Sequence, residues 1–433
     1  MRIKRLIVGV ATPALTFAAV LGMLTWINGS GSPEAPAAGS TGRAAFGTTT
    51  EDLIAELEQA AAESPTVQAT LGDAYYQRAR ETGDQRFIDQ AEDAYASALG
   101  RDPGDAAALA GQATLALTRH DFRGGLRLAR RARESAPRSQ APYAPLVDAQ
   151  IELGRYDEAA RSIDRLVGLK PNLTAYTRVS YYRELNGDLR GAIEAMRAAV
   201  SAGSGNAENA AFARSLLGDL LAARGDYGDA EAVYREALAI DSGNSSALRG
   251  LAALEAGRGG FDAAIRRYRR VVEQTGLPAD GYALAETLEA AGRRSEAARA
   301  YEAAARLTEP GVDTRSEQAV FEADHGDPEL AVQLGRAGYR AAPSVSSADS
   351  LAWALLAAGD VATAARRSRE AMGLGSRDPT FLFHAGMISA AAGDVERAER
   401  LLSRLLGQSP RFDPLGAAEA KRTLDELHRS GAS

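Results

Sequence analysis

The chain has 433 residues, a formal net charge of −7 and no cysteine. Its net acidity argues against general binding to nucleic acids, because such binding requires a basic surface. The lack of cysteine excludes disulfides, thiolate catalysis and cysteine-ligated metals.

The first predicted element is an apolar helix near the N-terminus. Residues 1–5 form a basic tip, and residues 6–27 follow with no charge among 22 residues. A helix of this length rises about 33 Å, enough to cross a bilayer core. Because basic residues precede this segment and none follows before Arg43, the chain after it should be extracytoplasmic. We expect a single-pass, uncleaved signal anchor in the cell membrane, with a cleaved signal peptide and a secreted chain as the alternative.

A flexible linker is predicted next, since residues 28–50 are rich in Gly, Ser, Pro, Ala and Thr. Beyond the linker, a glycine followed five residues later by an alanine recurs at a nearly constant interval. These glycines are Gly154, Gly187, Gly225, Gly259, Gly292, Gly326, Gly359 and Gly393, at intervals of 33, 38, 34, 33, 34, 33 and 34 residues. Such a period is typical of a stack of repeated supersecondary units and not of a globular enzyme.

Each period contains two amphipathic helices separated by the glycine. In the third period, apolar residues at three- and four-residue spacing predict a first helix over about 140–153 and a second helix from about Asp157. Gly154 ends the first helix, because glycine accepts the left-handed conformation of a C-cap. Pro171 closes the unit, because proline cannot continue a helix interior.

This unit resembles the tetratricopeptide repeat. The residues that carry the resemblance are the run Leu71, Gly72, Asp73, Ala74 and Tyr75, the set Leu217, Gly218, Leu221, Gly225, Tyr227, Ala230, Tyr234 and Ala237, the aromatic residues Tyr268 and Tyr301, and the closing prolines Pro103, Pro137, Pro171, Pro343 and Pro410. The resemblance implies an all-α, right-handed solenoid of about ten helix–turn–helix units over 51–430. The predicted units are 65–103, 104–137, 138–171, 172–204, 209–242, 243–277, 278–310, 311–343, 344–377 and 378–410, with cap helices at 51–63 and 414–429.

Three positions depart from the repeat. The first unit has a long turn, His120 stands where the turn glycine is expected, and residues 205–208 form an extra linker.

No motif predicts catalysis, a cofactor or a metal site. The four histidines lie in separate periods, and His120 and His325 fall at equivalent turns, which favours a structural role in the turn. Acidic pairs such as Asp157 and Glu158 recur at the start of second helices, where a negative charge offsets the helix dipole.

The resemblance also implies that the first helices line a concave groove. By register, the groove-facing residues are Asp148, Glu152, Tyr181, Glu184, Phe212, Asp219, Arg249, Tyr282, Glu286, Glu289, Asp324, Asp349, Trp353, Phe383 and Met387. Carboxylates outnumber the single arginine in this set and alternate with aromatic residues, a combination that suits a basic or apolar peptide. The alternative is that these acids are only the usual charges of exposed helices.

The second helices, in contrast, are rich in arginine. Clusters occur at Arg130, Arg131 and Arg133, at Arg266, Arg267, Arg269 and Arg270, and at Arg366, Arg367 and Arg369. This convex face is a second candidate binding surface, for anionic lipid head groups.

The sequence therefore predicts a membrane-anchored, non-catalytic scaffold that binds protein or peptide partners. We do not expect it to bind nucleic acid. Two alternatives stay open: a cleaved, secreted solenoid that binds peptide or glycan, and a regulatory accessory subunit of a separate membrane enzyme or transporter.

Overall fold

The computed structural model describes residues 49–61, 67–307 and 311–431. This part of the chain contains 22 α-helices, one short 3-10 helix and no strand. None of these described helices is both long and apolar enough to cross a membrane. The predicted basic tip, the predicted anchor at 6–27 and nearly all of the predicted linker lie outside the described residues.

The helices follow one another with short connections. In chain order they are α1 (Thr50–Ala61), α2 (Val67–Thr82), α3 (Arg86–Arg101), α4 (Ala106–Thr118), α5 (Phe122–Ser135), α6 (Tyr143–Glu152), α7 (Tyr156–Leu169), α8 (Leu173–Leu185), α9 (Leu189–Ala202), α10 (Ala207–Arg224) and α11 (Tyr227–Ile240). They continue as α12 (Ser245–Gly257), α13 (Phe261–Thr275), α14 (Pro278–Ala290), α15 (Arg294–Ala304), α16 (Arg315–His325), α17 (Pro328–Ala341), α18 (Val345–Ala357), α19 (Val361–Ala371), α20 (Pro379–Ala391), α21 (Val395–Gln408) and α22 (Pro414–Gly431).

Helices pair within each repeat, and the small residues of the repeat lie where the paired helices meet. The alanine five residues after each of the eight recurring glycines is buried, with 0% exposure at Ala159, Ala230 and Ala398. A methyl side chain at this position lets the second helix approach the first closely. The all-α solenoid predicted from the repeat pattern is therefore present in the described residues.

The turns between paired helices use the left-handed backbone conformation. Gly154 has φ +69° and Gly225 has φ +92°. His120 takes the same conformation with φ 58°, so it replaces the turn glycine structurally despite the steric cost of a side chain there. Gly326 differs, with φ −121°, and the side chain of Asp327 accepts hydrogen bonds from the first amides of α17 instead.

A tyrosine lies between glycines of neighbouring repeats. The ring of Tyr234 packs so closely on Gly218 and Gly250 that a Cβ at either position would lie 2.4 or 2.2 Å from a ring carbon. Its hydroxyl donates a hydrogen bond of 2.6 Å to Asp219. Tyr95 repeats this arrangement, with a hydrogen bond of 2.6 Å to an aspartate. These tyrosines join adjacent repeats through both packing and a buried polar contact.

The described chain divides into two compact units. The N-terminal unit comprises 49–180 and 195–213, and the C-terminal unit comprises 181–194 and 214–431. Within the N-terminal unit, the extra linker has a structural role. Arg80 pairs with Glu208 at 2.7 Å, and Asn206 donates a hydrogen bond of 2.8 Å to Glu81. The linker thereby contacts the end of α2.

Candidate functional site

In the N-terminal unit, the predicted groove residues lie inside the protein. Asp148 accepts two hydrogen bonds from Arg178, of 3.0 Å from Nε and 2.6 Å from Nη2. The two side chains are 6% and 0% exposed. Glu152 and Phe212 are also buried. These positions stabilise the packing of α6, α8 and α10 and do not offer a binding surface.

In the C-terminal unit, the first groove residues are also partly enclosed. Tyr181 is buried, and Glu184 lies near Asp219 and Asp378. Burial raises the pKa of the Glu184 carboxyl well above its ordinary value, and the two neighbouring carboxylates raise it further. Burial also raises the pKa of Asp219 to about 6, although the hydroxyl of Tyr234 opposes this rise.

The predicted groove arginine has a partner that the sequence pattern did not indicate. Arg249 forms hydrogen bonds of 2.6 and 3.0 Å with the carboxylate of Asp280. Asp280 is almost fully buried and also accepts a hydrogen bond of 2.7 Å from the hydroxyl of Thr275. This arginine therefore neutralises an internal acid and is not free to bind a ligand.

The other predicted residues of the C-terminal unit come together in one place, with four residues that the prediction missed. We call this set the acidic–aromatic cluster. Its members are Tyr282, Glu286, Glu289, Tyr301, Phe321, Asp324, His325, Asp349, Trp353, Phe383 and His384. They come from five helices, α14, α15, α16, α18 and α20. Met387, also predicted, is half-buried beside the cluster in the hydrophobic core of these repeats.

One side of the cluster is open to solvent. Tyr282 and Phe321 stack with their ring centroids 3.9 Å apart, and both are half-buried. The hydroxyl of Tyr301 donates a hydrogen bond of 2.9 Å to Glu289, which is exposed. The ring of Tyr301 also contacts His325, with centroids 4.1 Å apart. This open rim combines flat aromatic surface with an accessible carboxylate.

The other side of the cluster is buried. Trp353 donates a hydrogen bond of 2.7 Å from its indole nitrogen to Asp324. Its ring stacks on His384 at 4.2 Å, and His384 Nδ1 lies 2.7 Å from Asp349. Phe383 contacts the Trp353 ring at 5.7 Å.

Negative charge dominates the cluster. Within the described chain, no arginine or lysine forms a salt bridge with Glu289, Asp324 or Asp349; the partners are tyrosine, tryptophan and histidine. Burial raises the pKa of Asp324 to about 7, with a further rise from Glu286, while His325 and Trp353 oppose it. The side chains that oppose this rise are histidines and a tryptophan, and not an arginine or lysine.

The buried side of the cluster contains an acid–base pair. His384 and Asp349 form this pair, and their side chains are 0% and 5% exposed. No group of three potential ligands in the described residues is arranged to hold a metal ion. His325 and His384 come from separate repeats, and the charge of each lowers the pKa of Asp324. The predicted role of His325 in a turn was incomplete, because its ring belongs to the cluster.

On the second helices, many arginines link successive repeats. Arg131 donates a hydrogen bond of 3.3 Å to the carbonyl of Pro103, and Arg270 donates one of 3.1 Å to the carbonyl of Ser242. Both acceptors lie 28 residues before their arginine. The contact therefore recurs with the repeat period and binds a carbonyl in the turn that follows the second helix of the preceding repeat.

A second arginine contact recurs one position earlier. Arg130 pairs with Glu158 at 3.1 Å, and Arg269 pairs with Glu296 at 3.2 Å. Each glutamate begins the second helix of the following repeat. These pairs engage arginines of the second helices in contacts within the protein, which weakens the case for a lipid-binding surface there.

Family models give the same assignment as the geometry. A model described as tetratricopeptide repeat matches residues 110–173, 144–207, 186–245, 282–346 and 350–411, which is more than half of the chain. The chain belongs to the tetratricopeptide repeat family. A second model of this repeat matches residues 221–280 of the tetratricopeptide repeat protein.

Several solved structures are similar to this tetratricopeptide repeat protein at low sequence identity. MamA is 20% identical over 37% of this chain and 93% of its own, with a TM-score of 0.30. PilW, titled a type IV pilus biogenesis factor, is 18% identical over 48% and 97%, with a TM-score of 0.40. Yeast Tom70 is 12% identical over 88% and 93%, with a TM-score of 0.36. No curated protein matches this chain.

Proposed function

We propose that this protein is a non-catalytic scaffold or adaptor that binds a basic segment of a partner protein at the acidic–aromatic cluster. The observation that carries the proposal is the charge balance of that cluster. Its carboxylates lie beside exposed aromatic surface, and among the described residues arginine and lysine do not neutralise Glu289, Asp324 or Asp349. A partner arginine or lysine would supply the missing positive charge and would contact the rings of Tyr282 and Phe321.

The open rim is the place where such a segment would first bind. Glu289 is exposed, and the Tyr282–Phe321 stack is accessible from solvent. The deeper members of the cluster, such as Trp353 with 4% exposure, lie too far inside for direct contact in this conformation. Binding at the rim would still change the surroundings of Trp353, because Asp324 and His325 connect the two sides.

We further propose that residues 6–27 anchor the protein in the cell membrane, with the repeats on the extracytoplasmic side. The uncharged run of 22 residues and the basic residues before it support this proposal. N-terminal sequencing of the mature protein tests it. A mature chain that begins beyond residue 27 would show that the segment is a cleaved signal and would favour the secreted alternative.

Trp353 makes partner binding measurable. The chain has two tryptophans, so the Trp26→Phe variant of the full chain leaves Trp353 as the only indole. We would titrate this variant in detergent micelles with a short peptide of alternating arginine and leucine. The matched probe has glutamate in place of arginine. We expect the fluorescence of Trp353 to change with the basic peptide and not with the acidic one.

A charge reversal at the rim tests the location of the site. Glu289→Arg should weaken binding of the basic peptide by about fivefold, since exposed charge pairs contribute about 1 kcal/mol or less. Glu302→Arg is the control, because Glu302 is an exposed acid on α15 outside the cluster. Equal affinity for both peptides, or equal weakening by both substitutions, would rule out this site.

A further inference from the structure

The N-terminal unit contains a buried carboxyl with one oxygen that has no hydrogen-bond partner among the described residues. Asp73 on α2 is 7% exposed, and its Oδ1 accepts a hydrogen bond of 2.6 Å from the hydroxyl of Tyr95. No described residue donates a hydrogen bond to its buried Oδ2. An oxygen in this position is costly to the fold unless a donor or a cation reaches it.

The Asp73 side chain lines a small, partly open cavity, which has room for one group about the size of a water molecule. Tyr95 and Thr114 also line this cavity. Their hydroxyl protons are used elsewhere, by Tyr95 in the bond to Asp73 and by Thr114 in a bond of 3.1 Å to the carbonyl of Ala110. Both hydroxyl oxygens can therefore act as acceptors. Together with Oδ2 of Asp73 they provide three acceptors, which suits a group with three N–H donors.

A second tyrosine–aspartate pair, Tyr234 with Asp219 in the C-terminal unit, shows what can occupy this place. Tyr234 lies 16 residues before Gly250, and Tyr95 lies 16 residues before Gly111. Each ring packs closely on its glycine. The two sites therefore have the same register in the repeat and can be compared residue by residue.

The residue before that glycine differs between the two sites. It is Arg249 in the C-terminal unit and Ala110 in the N-terminal unit, and the residue 31 positions later is Asp280 or Ala141 respectively. Arg249 pairs with Asp280 at 2.6 Å. Burial raises the pKa of Asp219, and the charge of Arg249 opposes that rise. Both alanines line the cavity of the N-terminal unit. The cavity therefore lies where the C-terminal unit places a guanidinium and its counter-ion.

We propose that the cavity beside Asp73 is a binding site for a primary ammonium group, supplied by a lysine of a partner protein or by a small free amine. The ammonium donates hydrogen bonds to Oδ2 of Asp73 and to the hydroxyl oxygens of Tyr95 and Thr114. Its positive charge takes the place that Arg249 has beside Asp219. The site lies within the N-terminal unit and does not depend on the proposed function.

The carboxyl of Asp73 makes this binding dependent on pH. Burial raises its pKa well above the ordinary value, although the hydroxyl of Tyr95 opposes the rise, and the charge of Asp105 adds to it. Tyr76 is the other titratable residue that lines the cavity, and burial raises its pKa as well. The ammonium pairs with the carboxylate only after the carboxyl has released its proton. Because an amine stays charged well above neutral pH, its affinity should rise about tenfold per pH unit up to the pKa of Asp73.

Methylammonium is the simplest probe of this site. Saturation-transfer NMR of its methyl signal measures its binding to the full chain in non-ionic detergent micelles at fixed ionic strength. Tetramethylammonium is the matched control, because it has the same charge and no N–H donor. We expect methylammonium to bind about tenfold more tightly at pH 6 than at pH 5, and we expect no binding of tetramethylammonium.

Two variants test the location of the site by different means. Asp73→Asn removes the charge and keeps an acceptor for Tyr95, whereas Ala110→Val fills the cavity and keeps the carboxyl. Each should weaken the binding of methylammonium about tenfold or more, since a hydrogen bond to a charged group is lost. If Asp73→Asn fails to fold, Ala110→Val still gives the answer. Asp219→Asn is the control, because Arg249 occupies the equivalent place there, and it should bind methylammonium as the parent chain does.

An N-acetylated peptide with a single lysine separates the two sources of the ammonium group, and the same peptide with acetyl-lysine is its control. Binding of the lysine peptide at Asp73 would identify a partner side chain as the ligand. Binding of methylammonium without the peptide would identify a small free amine. Equal binding of tetramethylammonium, or undiminished binding of methylammonium to Asp73→Asn and Ala110→Val, would overturn the site. So would the failure of both amines to bind, since the cavity would then hold water only.

Discussion

Asp148 in the N-terminal unit and Asp324 in the C-terminal unit are two enclosed carboxyls that were both predicted to face a groove. Burial raises the pKa of each, but only Asp148 has an arginine, Arg178, to oppose that rise. Asp324 is held by the indole of Trp353 and the ring of His325. The comparison indicates that an acid with its own internal arginine is structural, whereas an acid without one is free to respond to a partner or to pH.

The largest expected effect comes from breaking the N-terminal pair. Arg178→Met leaves the carboxylate of Asp148 buried without its counter-ion, so we expect the free energy of unfolding to fall by about 3–5 kcal/mol. Urea denaturation of the full chain in detergent measures this loss.

Two further variants interpret the result. Arg366→Met, at an exposed arginine of α19, should change stability little. The double variant Asp148→Leu/Arg178→Met should recover most of the loss, since apolar replacements of a buried ion pair are often tolerated. A small effect of Arg178→Met alone would mean that Asp148 is protonated in the folded protein, as Asp324 is in part.

The C-terminal cluster should instead produce a dependence of stability on pH. In the folded chain burial raises the pKa of Asp324 to about 7 and, together with Glu286, that of Asp413 to about 8, against about 3.9 in an unfolded chain. The folded state therefore binds more protons between these values. The corresponding stability is complete below about pH 4 and is lost as pH rises through 7 and 8.

We therefore expect stability to fall, on the order of a few kcal/mol, between pH 5 and pH 9. Asp324→Asn/Asp413→Asn should remove much of this fall, because asparagine keeps an acceptor for Trp353 and still caps a helix. Asp360→Asn, at an exposed cap whose pKa is lowered, should leave the slope unchanged. Urea denaturation at pH 5 and at pH 9 measures this fall. An equal fall in the free energy of unfolding in the parent chain and in both variants would exclude these carboxyls as its cause.

The sequence period was sufficient to place residues from separate repeats beside one another. Glu289, Asp324 and Trp353 are 64 positions apart at most, and the register of the first helices predicted their common face. This worked because each repeat presents the same helix face to the same side of the stack.

The partners of those residues could not be predicted from the period. Tyr301 reaches Glu289 from a second helix, and His384 reaches Asp349 from the next repeat. Such pairs depend on small rotations between repeats, which are determined by packing and not by the spacing of glycines. The contact between Arg411 and Tyr227 spans 184 residues, and a local pattern contains no information about which distant turns meet.

The smallest expected effect concerns the exposed arginines of the second helices, and it tests whether burial is what distinguishes Arg178. Arg270 is exposed and donates one hydrogen bond to the carbonyl of Ser242. Water replaces that bond when the side chain is removed, so Arg270→Ala should lower the free energy of unfolding by about 0.5 kcal/mol or less. The same urea experiment measures it. A loss comparable to that of Arg178→Met would contradict this expectation. It would show that an exposed, recurring arginine contact stabilises the stack of repeats as strongly as a buried ion pair, so that burial would not distinguish Arg178 from Arg270.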